Sequence, residues 1–124
     1  MITCLAAICL SGAVAIDGDT LRLDSPGKNL RLRLWGIQAP EIKEAGGAEA
    51  RHALAALVSD RPVACDLMDV DRYGRPVVRC HTDTVTDLSC EMVRQGHATD
   101  WRRYSGGAYQ HCNRIVPAAA EELD

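Results

Sequence analysis

The stretch from Thr20 to Ile37, "TLRLDSPGKNLRLRLWGI", limits the possible folds more than any other part of the chain. Leucines alternate with polar residues on both sides of a central "DSPGKN". A period of two marks a strand with one buried face, whereas a helix would bring its apolar residues back every three or four positions. Asp, Ser, Pro, Gly and Asn are the residues that turns require. The segment therefore reads as a β-hairpin, in which Leu21 and Leu23 share one face of the first strand and Leu30, Leu32 and Leu34 share a face of the second. Arg31, Arg33 and Trp35 fall on the side opposite those leucines, which places Arg33 outside the core on a rigid strand.

The other segments follow the same logic. "APEIKEAGG" reads as a loop, and "AEARHALAALVSD" repeats apolar residues at helical spacing through Ala50, Ala53, Leu54, Leu57 and Val58, so an amphipathic helix is expected with Pro62 as its stop. "PVACDLMDVDRYGRPVVRCHT" is a second hairpin with "DRYGRP" at its turn. Asp87 is suited to N-cap "DLSCEMVRQG", and Gly96 to end it. "YSGGAYQHCNRIV" begins a last helix that Pro117 ends, with Trp101 and Tyr104 packing between the final helices. The order β-β-β-α-β-β-α-α predicts an α+β fold, mainly β: a small closed barrel of the five-stranded oligonucleotide-binding type, with two to three helices.

A chain of 124 residues makes one domain. The expected division is a signal-like or N-terminal lead-in over 1–12, a folded domain over 13–116 and an acidic tail over 117–124. "MITCLAAICLSGAV" is apolar but too short to span a bilayer as a helix, and both a secretion signal and a first strand with its lead-in account for it. Six cysteines suggest an oxidising compartment, so a secreted, periplasmic or envelope location is expected. They include no CxxC pair, which excludes the spacing of zinc ribbons and fingers. Cys65 and Cys80 lie in the two strand-like runs of the second hairpin, where a cross-strand disulfide is sterically reasonable. His52, His81, His97 and His111 are scattered, with no metal-ligand spacing to one another or to a Cys, and no P-loop is present.

A formal charge of -3 gives no whole-molecule attraction to a polyanion, so any such site must be a local cluster of cations. Of the fourteen cationic residues twelve are Arg, whose planar fork pairs two phosphate oxygens at once. "AIDGDTLRL" and "RLWGIQAPE" each set an acid near the end of a strand-like run. A barrel that pairs these runs can bring Asp19 and Glu41 to one end, where carboxylates and backbone carbonyls suit a hard cation such as Ca²⁺. Arg33 and Arg75, if they face one cleft, can clamp a phosphodiester while Glu41 takes a proton from an attacking water. Taken singly, each of these residues also reads as an ordinary turn or surface residue.

Four segments, "AIDGDTLRL", "RLRLWGIQAPE", "DRYGRPVVRC" and "DLSCEMVRQGHA", stand in the order and approximate spacing of the staphylococcal-nuclease-like family, which the chain resembles over about residues 13–109. The resemblance implies a five-stranded oligonucleotide-binding-type barrel that hydrolyses DNA and RNA phosphodiesters with Ca²⁺. By position, Asp19 matches the metal-binding Asp of the family, Ala39 a residue whose carbonyl serves the metal, Arg33 and Arg75 the phosphate-clamping arginines, and Glu41 the proposed general base. Asp71, Arg72 and Tyr73 match the segment leading to the second arginine, with Arg72 and Tyr73 on the substrate side. Asp17 matches no ligand.

Gln38 departs from the pattern, because the family usually carries a second metal-binding Asp there. A Gln offers a neutral oxygen and no charge, so weakened metal binding is expected. The chain end departs too, and Cys112 is then available to tie the tail to Cys90. The expectation is a monomeric Ca²⁺-dependent nuclease acting on DNA or RNA, with no stable membrane partner. A non-catalytic module that binds single-stranded nucleic acid on the same barrel is the alternative, and a disulfide-stabilised interaction domain a third reading.

Overall fold

The computed structural model describes residues 8–10, 12–25 and 28–114. Residues 1–7 of the lead-in, the hairpin tip at 26–27 and the acidic tail at 117–124 lie outside the described residues. In chain order the elements are β1 (Ile8–Leu10), β2 (Val14–Asp17), β3 (Thr20–Ser25), β4 (Lys28–Leu34), β5 (Ile37–Gln38), α1 (Gly47–Val58), β6 (Val63–Val70), β7 (Pro76–His81), α2 (Leu88–Arg94), β8 (Thr99–Asp100) and α3 (Arg102–Ser105), followed by a 3₁₀ turn, Gln110–Arg114. Among the described residues no helix is long and apolar enough to cross a membrane.

Six strands form one sheet in the order β1-β6-β7-β4-β3-β2. The fold is α+β and mainly sheet, as expected, and β2, β3, β4, β7 and β6 supply the five strands of the oligonucleotide-binding type. All neighbours are antiparallel except β4 and β7. The edge strands β1 and β2 are consecutive in the chain, separated only by residues 11–13. Four Cα steps span at most roughly 15 Å, so the sheet must curl until its two edges face each other. No ladder joins β1 to β2 among the described residues, so the curled sheet is not a hydrogen-bonded closed ring.

The core follows the leucine alternation. Leu21 pairs with Leu32 across the β3–β4 ladder, and both are fully buried with Leu34. Leu30, toward the hairpin tip, is exposed, because the buried face fades where the hairpin runs past the core. Val63, Cys65, Val78 and Cys80 fill the β6–β7 side, and Ala50, Leu54 and Val58 of α1 close the core from above. The helix ends before Pro62 can act on it: Ser59 N–H bonds back to Ala55 O, and Asp60 takes a left-handed φ of 55°.

Asp87 caps α2 as expected, accepting from the N–H groups of Ser89 and Cys90. The same carboxylate accepts from Arg79 Nε at 2.9 Å and from the hydroxyl of buried Tyr109 at 2.8 Å. Gly96 follows α2 at φ 81°, the left-handed position that ends a helix. The single last helix expected beyond it is replaced by the short α3 and the 3₁₀ turn, because Gly106 (φ 68°) and Gly107 (φ 91°) turn the chain out of the helical path. The ribbon of β5 with β8 has no counterpart in the sequence pattern. Both expected disulfides are present: Cys65–Cys80 joins directly opposed residues of β6 and β7, with Cα atoms 4.0 Å apart, and Cys90–Cys112 ties α2 to the 3₁₀ turn.

Gly18 sets the spacing between the β2–β3 turn, α1 and the strand end at Ala39. A Cβ there would lie 2.6 Å from Ala50 Cβ and 2.7 Å from Ala39 Cβ, closer than such atoms approach. Gly18→Ala is therefore expected to destabilise the fold by about 1–3 kcal/mol, read as a lower urea midpoint with an unchanged slope.

Candidate active site

The parallel ladder sets Arg33 of β4 directly opposite Val77 of β7. Side chains alternate along a strand, so Arg75, two positions before Val77, projects to the same side as Val77 and Arg33. All three line one cleft of about 280 Å³, together with Asp69 of β6, Arg72 and Tyr73 from the β6–β7 connection, and Trp101 and Tyr104 from the far wall.

The β6–β7 connection is ordered by one carboxylate. Asp71 Oδ1 accepts from the N–H groups of Tyr73 and Arg75, both at 2.9 Å, while Oδ2 accepts from Arg75 Nε at 2.7 Å. Burial alone would raise the Asp71 carboxyl, but the Arg75 amide and side chain with the Tyr73 amide outweigh it and hold the group below its ordinary value. Tyr73 is 74% exposed, and the guanidiniums of Arg72 and Arg75 stand 5.6 and 5.8 Å from its ring centre. A flat, solvent-facing ring beside two cations is a surface on which a base or sugar can stack.

Arg33 is fixed from several directions. Nη1 donates to Leu34 O at 3.0 Å, Nη2 donates to Ile37 O at 2.8 Å, Nη1 pairs with Asp19 Oδ2 at 3.2 Å, and the guanidinium lies 5.7 Å from the Trp101 ring. These contacts leave Nε–H and one Nη2 hydrogen among its five donors for a ligand. Asp19 is buried in the turn after β2, where its Oδ1 accepts from Thr20 Oγ1 and its Oδ2 from Ala39 N–H at 2.8 Å. Asp17 Oδ1 accepts from Asp19 N–H, fixing the turn. Burial raises the Asp19 carboxyl to about 6, with the neighbouring Asp17 adding to the rise and Arg33 and the Ala39 amide opposing it.

The remaining sequence candidates do not line this cleft. Gln38 and Ala39 line a second, open concavity of about 430 Å³ with Glu44, His97 and Thr99. Ala39 turns its N–H, not its carbonyl, toward Asp19. Glu41 is exposed on the loop after β5 and lines neither hollow. The structure thus joins Arg33, Arg72, Tyr73 and Arg75 in one cleft, sets Asp19 against Arg33 and Ala39, and ties Arg33 to the Ile37 carbonyl beside Gln38, while Gln38 and Glu41 do not line that cleft. Asp19, Gln38 and Ala39 carry oxygen donors of the kind a hard divalent cation takes, while Asp19 Oδ2 already accepts from Ala39 N–H and pairs with Arg33. They fall short in amount, because Gln38 adds no anion.

Sequence reasoning missed the far wall. Trp101 and Tyr104 do not pack between helices; they meet edge to face at 4.4 Å and face the cleft, with Tyr104 exposed. Their signal was the pair of glycines at 106–107, which leaves too little helix for them to pack against. The role of Asp71 was readable, since Asp before a Gly-containing turn commonly accepts from the amides that follow.

The sequence model of the family described as "Staphylococcal nuclease homologue" matches residues 31–122. Protein ParB of Escherichia coli is 36% identical over 112 residues, covering 84% of this chain and 63% of that protein. An "Uncharacterized endonuclease" of Escherichia coli O157:H7 is 31% identical, covering 73% of this chain and 59% of its own length. The micrococcal nuclease of Shigella flexneri is 33% identical, covering 72% and 56%. The chain therefore spans somewhat over half the length of these relatives.

Because the native pKa of Asp71 is depressed, its stabilising bonds are complete above its unfolded value of 3.8 and are lost as pH falls through the lower native value. Acidification through that range is expected to shift the Tyr73 and Arg75 amide resonances together. In Asp71→Asn both shifts should be nearly flat with pH, which amide NMR titration of the two proteins tests.

Proposed function

This chain belongs to the staphylococcal nuclease homologues, and on that premise we propose that it hydrolyses phosphodiester bonds of DNA or RNA in the cleft between the β6–β7 connection and Trp101. The observation that carries the reading is the placement of Arg33 and Arg75 on one wall with Tyr73 beside them. Arg33 and Arg75 hold the non-bridging oxygens of the scissile phosphate and stabilise the charge that builds on them as water attacks. Tyr73, flanked by Arg72, positions the neighbouring nucleotide by stacking, which is indifferent to base identity. Glu41 is the group we assign to accept the proton of the attacking water. Asp19, the Gln38 amide oxygen and the Ala39 carbonyl would hold a divalent cation, Ca²⁺ by the hardness of the donors, which when bound supplies positive charge to the phosphate and lowers the pKa of a bound water. With Gln38 in place of an acid, that affinity is weak. The two disulfides support a working location in an oxidising compartment, secreted, periplasmic or at the envelope.

One observation favours the binding-module reading: both Asp19 oxygens are already engaged by Thr20, Ala39 and Arg33. A module of that kind would bind single strands in a salt-dependent way, with no cleavage and no effect of a chelator.

Hydrolysis of single-stranded DNA across a Ca²⁺ titration tests both readings. The nuclease reading expects cleavage abolished by excess chelator, a half-saturating Ca²⁺ concentration that falls in Gln38→Asp, and a turnover about 10²–10⁴-fold lower in Glu41→Gln. Arg75→Ala should lose about 10²–10³-fold. Absence of cleavage in every version, including Gln38→Asp at high Ca²⁺, overturns it.

A further inference from the structure

Cys90, His111 and Cys112 line neither the arginine cleft nor the second concavity and take no part in the function proposed above. The fold brings them together: Cys90 on α2 and Cys112 on the 3₁₀ turn are joined as a disulfide, and His111 is the residue beside Cys112. His111 Nε2 lies 3.8 Å from Cys112 Sγ, and the three ligating atoms all lie within 4.8 Å of one another. Among the described residues this is the single group of three or more Cys, His, Asp or Glu side chains so closely set.

Zinc bonds of about 2.3 Å to sulfur and about 2.0–2.1 Å to nitrogen, at tetrahedral angles, set neighbouring ligand atoms roughly 3.6–3.8 Å apart. The His111 Nε2 to Cys112 Sγ separation is 3.8 Å, about 0.2 Å more than a nitrogen–sulfur pair on zinc requires. The two sulfurs are covalently joined and must part before either can bind a metal. We propose that Cys90, His111 and Cys112 are a redox-gated zinc site, closed as a disulfide when oxidised and able to bind Zn²⁺ through two thiolates and an imidazole when reduced, with water as the fourth ligand.

The environment also says how the gate opens. Cys65 and Cys80 are both fully buried, whereas Cys90 is only partly so, and Cys112 is fully buried. A thiolate of a dithiol reductant can therefore reach Cys90 Sγ, form a mixed disulfide there and expel Cys112 as a thiolate. His111, when its Nε2 carries a proton, donates to that departing thiolate. The second thiol of the reductant then attacks the mixed disulfide, releasing Cys90 and closing the reductant into its own disulfide. Two electrons and two protons pass to the protein, and both protons leave again when Zn²⁺ replaces them on the sulfurs. The metal would tie α2 to the 3₁₀ turn where the disulfide did, and oxidation would expel it.

The test uses the full chain, reduced with an immobilised phosphine that is removed before Zn²⁺ is titrated against a chromophoric chelator under anaerobic conditions. The expected result is one Zn²⁺ per reduced chain and none in the oxidised chain. His111→Ala, an exposed position, should weaken binding by about tenfold or more. Cys90→Ser/Cys112→Ser, which keeps Cys4, Cys9, Cys65 and Cys80, should abolish the site. Co²⁺ substituted for zinc should give the sulfur-to-metal charge-transfer band in the reduced chain and not in the double variant. Failure of the reduced chain to take up zinc, equal uptake by the double variant, or undiminished affinity in His111→Ala overturns the proposal.

Discussion

The parallel pairing of β4 with β7 is the constraint on which the candidate site depends. Arg33 and Arg75 lie in different hairpins with α1 and β6 between them, and no local preference relates them. The register Arg33 to Val77 makes them neighbours, because alternation then puts Arg33, Val77 and Arg75 on one side of the sheet. A slip of one residue would turn Arg75 away from Arg33, and it would also carry Val78 out of the core. The burial of Val78 and Leu34 therefore fixes the register that the site needs.

What could be read from the sequence was what nearest neighbours decide. Leucine alternation gives the β3–β4 hairpin and the outward side of Arg33, Asp87 announces the cap of α2, and Cys65 and Cys80 face each other because their strands join through one short turn. What could not be read rests on encounters between distant segments. The two-residue strands β5 and β8 are too short to have a period, and their pairing comes from the docking of α2 and the chain beyond it. The end of α1 at Ser59 was assigned to Pro62 because proline is the stronger signal, whereas a left-handed Asp60 had already turned the chain. His111 looked isolated because Cys90, which the fold brings within 4.8 Å of it, is distant in the chain.

The far wall of the cleft is held mainly by individual polar contacts. With no long terminal helix among the described residues, Trp101 is tied through its N–H to Gly36 O at 2.7 Å, and Tyr109 is anchored by its hydroxyl to Asp87 and by an edge-to-face contact with Trp35 at 5.6 Å. Ser89 on α2 donates to Trp35 O, and Cys90–Cys112 closes the circuit. Among the described residues, hydrogen bonds and a covalent link hold this wall, so it depends more on individual polar groups than the leucine-lined side does.

Charge balance gives the cleft its last constraint. Its lining carries three arginines, Arg33, Arg72 and Arg75, and two aspartates, Asp69 and Asp71. Asp19 stands directly behind Arg33 and, when ionised, cancels what is left. With the chain at -3 overall, a polyanion gains little attraction to this wall until the Asp19 charge is offset. Burial raises the Asp19 carboxyl to about 6, and the ionised group is paired with the Arg33 guanidinium. The same carboxylate holds Arg33 by its Nη1, so neutralising Asp19 weakens one of several contacts on the guanidinium and leaves those to the Leu34 and Ile37 carbonyls. The position of Arg33 and the charge balance of the cleft thus meet in one buried group.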